Sequence, residues 1–132
     1  MPPEPVAFGS PEEWLRYAYS DLAYARVPKP DESRWEGLCY YAQQAAEKAL
    51  KAVYRAHGWE FRYTHDLVEL LRGLERHGIS TIPGSLRGLG AITRYAWETR
   101  YPGVSEDATE QEYQGALRLA EETCAWAQTE VE

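Results

Sequence analysis

Apolar residues recur at spacings of three and four along most of this chain and nowhere alternate at the period of two that a half-buried strand requires. The longest such run is Trp35 to Gly58, alanine-rich and free of proline. At about 100° per residue, Trp35, Leu38, Cys39, Ala42, Ala45, Ala46, Ala49, Leu50 and Val53 fall in one sector wide enough to face a core. The alanines admit close neighbours, so this stretch predicts a central helix packed on two sides. Opposite it runs a polar stripe, Gln44, Lys48, Lys51 and Arg55, which reads either as a solvated face with Glu47 pairing to Lys51 or as a patch for phosphate or an acidic partner.

Capping chemistry sets the other boundaries. Ser10-Pro11-Glu12-Glu13 opens a first helix with a capping box, and Pro28 and Pro30 force it to stop near Arg26. Thr64 or Asp66 caps a third helix over Leu67, Val68, Leu70, Leu71 and Leu74, ending at Gly78. Leu86, Leu89, Ile92, Thr93 and Ala96 continue at helical spacing toward Pro102 despite Gly84, Gly88 and Gly90. Thr109 with Glu112 forms a second capping box before Tyr113, Ala116, Leu117, Ala120, Cys124 and Ala127. The expected fold is all-α, an up-and-down antiparallel bundle of about five helices, with residues 1–9 as a lead-in and 10–132 as one helical domain.

At 132 residues and 44% hydrophobic content, such a domain buries a core without a metal or disulfide staple. The net charge of −7 and pI near 5.0 exclude nucleic-acid binding by global charge and leave only a local basic patch. Cys39 and Cys124 sit on apolar helix faces, as buried hydrophobes or, less simply, as a disulfide. No basic-then-apolar leader and no membrane-length apolar run is present, so a cytoplasmic protein that does not engage a membrane is expected.

Candidate chemistry is sparse. His57 and His77 each precede a helix-ending glycine, where a polar ring suits the helix C-terminus. His65, with Asp66 and Glu69, offers at most a one-turn metal cluster, which capping explains equally well, so neither a metal nor a cofactor is expected. The segment Ile92 to Pro102, ITRYAWETRYP, crowds two arginines, two tyrosines and a tryptophan, a composition that suits an interface or ligand site as well as a core. No nucleophile elbow, zinc-binding helix signature or phosphate-cradling loop occurs.

The run Tyr41-Ala42-Gln43-Gln44-Ala45-Ala46-Glu47-Lys48-Ala49-Leu50-Lys51-Ala52 resembles the signature of the HEPN domain family. Asp21-Leu22, Thr64-His65-Asp66-Leu67, Arg100-Tyr101-Pro102, Ala120-Glu121 and Trp126 follow in the family's order. The resemblance implies a helical bundle that forms a homodimer and, in many prokaryotic members, pairs with a minimal nucleotidyltransferase as a toxin–antitoxin module. Toxic members are metal-independent ribonucleases with an arginine, four to six intervening residues and then a histidine on a late helix. Here the sequence departs from the pattern. Counting from Arg94, the histidine positions hold Thr99, Arg100 and Tyr101, and the spacing is met only by Arg72 with His77 on an earlier helix. The expectation is therefore a noncatalytic HEPN homodimer that binds a nucleotidyltransferase, with a nucleotide or RNA as an open further ligand. Lys48, Lys51, Arg55, His65, Arg94, Arg100 and Tyr101 are its binding residues, and the dimer is expected to bury Tyr40, Tyr54, Trp97 and Tyr101. The alternatives are a ribonuclease toxin, using Arg72 and His77 or His65 with Arg94 or Arg100, and a structural scaffold dimer.

Overall fold

The computed structural model describes residues 8–98, 102–103 and 106–132. Among the described residues four α-helices carry the fold: α1 (Pro11–Ala25), α2 (Trp35–Ala56), α3 (Leu67–Arg76) and α4 (Glu110–Val131). Both capping boxes form. Ser10 and Glu13 exchange reciprocal 3.1 Å bonds at the head of α1, and Thr109 and Glu112 exchange 3.0 Å bonds at the head of α4. Asp66, rather than Thr64, caps α3 by accepting from the N–H groups of Val68 and Glu69. Gly58 and Gly78 stop α2 and α3 with φ of 72° and 94°, a region that costs glycine least.

The helices form an all-α, up-and-down bundle around α2, which packs most extensively on α1 and α4. Cross-links fix the directions. Asp21 meets Lys48 while Tyr24 stacks on Tyr41, so α1 and α2 run antiparallel. Tyr113 donates to the Ala25 carbonyl and Tyr19 to that of Cys124, so α1 and α4 also run antiparallel. The predicted core sector of α2 is buried from Leu38 to Val53, its alanines completely, and only Trp35 is partly exposed. No helix among the described residues is long and apolar enough to cross a membrane.

The fourth predicted helix differs from expectation. Its residues form two 3₁₀ segments, Gly84–Ala91 and Thr93–Ala96. With three residues per turn, Leu86, Leu89, Ile92 and Tyr95 eclipse along one edge, and all four are buried. Gly90 lets this segment approach α3, since a Cβ there would lie 3.1 Å from a Val68 methyl. Where the lead-in is described, the Phe8 carbonyl accepts from the Trp14 indole N–H and the Gly9 carbonyl from Arg55, so this end is docked on α1 and α2.

Cys39 and Cys124 are fully buried free thiols. Burial pushes them up to about 11 and about 12 respectively, and the thiolate is the reactive form. Native protein at pH 8 is therefore expected to show almost no reaction with an aromatic disulfide reagent, and both thiols should react at once in denaturant; prompt labelling of the native form would contradict this packing.

Candidate functional site

The expected cationic stripe of α2 is not one surface. Gln43, Glu47 and Lys51, spaced four apart, form a buried polar row. Lys51 keeps only 4% of its side chain exposed and donates to Glu47 Oε2 at 2.8 Å. Its ammonium lies 5.3 Å from the centroid of Phe61, 5.7 Å from that of Tyr63 and 5.8 Å from that of Trp14, faces that attract a cation. The loop after α2 folds back to supply two of those rings, which is why Lys51 does not lie on a solvated face. Glu47 in turn receives Gln43 Nε2 at 3.2 Å and faces His65 Nδ1 at 2.8 Å. Gln43 also donates to the His65 carbonyl, so backbone and ring are both held. The His65 side chain stays 39% exposed, its other nitrogen turned away from this carboxylate.

Lys48 lies on the neighbouring face, paired with Asp21 of α1 beside a cavity of about 360 Å³ that Arg16, Tyr17 and Ser20 complete. Arg55 donates to the Gly9 carbonyl at 3.2 Å. Arg94 bridges Glu98 and Glu112, each at 3.4 Å, and also donates to the Tyr95 hydroxyl at 2.9 Å. Burial pushes that phenol up to about 12, and the Thr109 backbone N–H holds the Glu112 carboxyl below its usual range. Arg100 and Tyr101 lie outside the described residues. Of the aromatics expected at a dimer face, Tyr54 is instead buried, donating to the Leu70 carbonyl at 2.7 Å, and Tyr40 is half-buried; Trp97 is exposed.

Sequence reasoning missed two features. Asp21 is the counter-ion of Lys48, and only tertiary packing brings them together. His57 and His77, which cap α2 and α3 at their C-termini as expected, also enclose Trp59: their rings stack on it at 4.4 and 4.1 Å, with planes within 11° and 10°. Among the described residues no group of three acidic, histidine or cysteine side chains has metal-site geometry, so His65, Asp66 and Glu69 do not form one.

A central alanine-faced helix with a buried glutamine–glutamate–lysine row, flanked by a capped antiparallel α1 and a capped parallel α4, defines the class of bundle. The chain belongs to the HEPN domain family, whose model matches residues 11–130. It is similar to TT1696 from Thermus thermophilus, with 26% identity over 91% of this chain and 97% of that one and a TM-score of 0.74. ST0689, an archaeal HEPN homologue, shares the fold at a TM-score of 0.73, with 23% identity over 95% of this chain and 100% of that one. No protein of curated function shows significant sequence similarity to the chain.

Proposed function

We propose that this chain is a noncatalytic HEPN-domain protein that forms a homodimer in the cytoplasm and binds a minimal nucleotidyltransferase, in the manner of a toxin–antitoxin module, with a nucleotide as a further ligand. One observation supports the noncatalytic part: the three histidines and Arg94, among the groups that ribonuclease chemistry would draw on, already have partners. His65 is tied to Glu47, His57 and His77 stack on Trp59, and Arg94 is bridged to two carboxylates. A proton-transfer imidazole has to reach its substrate together with a charge-stabilising cation. For the partner, Tyr17, Tyr24 and Trp97 are each more than half exposed, and aromatic side chains of this kind are enriched where proteins meet. Contact then falls to the partly exposed heads of Lys48, Arg55, His65 and Arg94 with Arg100 and Tyr101, while Lys51 acts from beneath by fixing Glu47.

The test is isolation of the protein from its own cells, with mass determined by light scattering. Dimer mass and a co-purifying nucleotidyltransferase are expected. A monomer arriving alone would sink the proposal. Growth arrest on expression that His65→Ala or His77→Ala relieves would establish the ribonuclease reading in its place.

A further inference from the structure

A cavity of about 410 Å³ opens between the C-terminal end of α2, the loop 59–64 and α3. Arg62 and Arg76 line it from one loop and one helix, and Glu60 and Glu69 line it as well. Four charged groups of opposite sign thus share one concavity, yet no ion pair closes between any of them. Elsewhere the chain readily pairs such groups, as in Arg26 with Glu121 and Arg87 with Glu75. The Glu69 carboxylate receives only a long 3.4 Å bond from the Thr64 hydroxyl.

The four charged groups, all exposed, balance one another, so the lining favours neither a simple anion nor a simple cation. A phosphate drawn to the two guanidiniums would face two carboxylates, and a free cation drawn to the carboxylates would face two guanidiniums. A molecule bearing both charges a few ångströms apart satisfies all four. Guanidinium forks match a carboxylate in two-bond geometry, and an ammonium group offers three donors to acidic oxygens. The volume lies within the range of small-molecule sites. Tyr54, whose hydroxyl occupies the space a Gly73 side chain would need, and His77, stacked on Trp59, also line it.

We infer that this cavity binds a small zwitterion of the free α-amino-acid type, its carboxylate on Arg62 and Arg76 and its ammonium on Glu60 and Glu69. The site is separate from the cationic groups of α2 and does not depend on the proposed partner. Calorimetry on the whole protein would use each of the twenty L-amino acids, inorganic phosphate and adenosine monophosphate as probes. At least one amino acid should bind at one per chain, with affinity falling about tenfold or more in Arg62→Ala, Arg76→Ala and Glu60→Gln, the scale of one charge-assisted hydrogen bond. Arg118→Ala, remote from this cavity, should bind normally, and thermal unfolding verifies that every variant is folded. The N-acetyl and amide derivatives of the bound amino acid should each bind about tenfold more weakly, because each removes one of the two charges. Failure of all twenty to bind, preference for either phosphate probe, or equal binding of the neutralised derivatives would overturn the assignment. None of these outcomes bears on dimer mass or partner capture.

Discussion

Gly73→Ala is expected to destabilise the protein by about 2–4 kcal/mol, although alanine is the better helix former and position 73 lies inside α3. A Cβ at Gly73 would sit 1.9 Å from the Tyr54 hydroxyl oxygen and 3.2 Å from the carbon that bears it. That hydroxyl is buried and donates to the Leu70 carbonyl at 2.7 Å, so the ring cannot withdraw without losing the bond. Nor is it free to turn, for it packs edge-on against Phe61, Trp59 and His77. Overpacking costs about 1–3 kcal/mol, and an orphaned buried hydroxyl a similar amount, against an intrinsic gain near 1 kcal/mol. The diagnostic is the pair. Tyr54→Phe alone should cost about 1 kcal/mol, since Leu70 keeps its helical bond and only the hydroxyl is lost. In that background the new methyl meets only a ring edge, so Tyr54→Phe/Gly73→Ala should lie within about 1 kcal/mol of Tyr54→Phe. Urea denaturation of the four proteins decides it: strict additivity would mean that the hydroxyl is not what Gly73 accommodates.

Gly73 also illustrates what a sequence conceals. The stripe of α3 is written in Leu67, Leu70, Leu71 and Leu74, and all four are buried as the spacing requires. A glycine among them reads as a weakness, because the ring that fills its place comes from a different helix. The same holds along α2. Periodicity identifies which residues share a face but not what covers it. The alanine sector was legible because alanine has no other use for so long a stripe, whereas Lys51 became a buried ion only when Phe61 and Tyr63 returned over it from the following loop. Lys48 and Asp21, 27 residues apart, meet only once α1 and α2 have packed. The fourth helix carried its own signal. Leu86, Leu89, Ile92 and Tyr95 repeat at strict intervals of three, the period of a 3₁₀ turn, while α-helical stripes mix threes with fours. Family membership was the most legible feature of all, since the row that holds His65 in place, Gln43, Glu47 and Lys51, lies inside the signature run itself.

That row supports the second large effect. Glu47→Leu should cost about 3–5 kcal/mol, because it strands the Lys51 ammonium in a buried position and removes the acceptor of Gln43 and the anchor of His65. Lys51→Met should cost less, since Glu47 keeps two of its three partners and a thioether fits among the Trp14, Phe61 and Tyr63 rings. The combined Glu47→Leu/Lys51→Met variant should recover more than half of the loss seen in Glu47→Leu, as buried ion pairs replaced together by apolar groups commonly do. Shifts of the denaturation midpoint at constant slope would measure this. A Glu47→Leu cost below about 1 kcal/mol would show that water reaches Lys51 and that the aromatic box is not closed. The double variant also separates structure from recognition. It retains Lys48, Arg55 and Arg94 but releases the His65 ring from Glu47. Capture kept in it would show that neither Lys51 nor an anchored His65 is needed for recognition. Capture lost while stability is regained would assign recognition to one of the two, with Lys51→Met alone, which leaves His65 on Glu47, telling them apart.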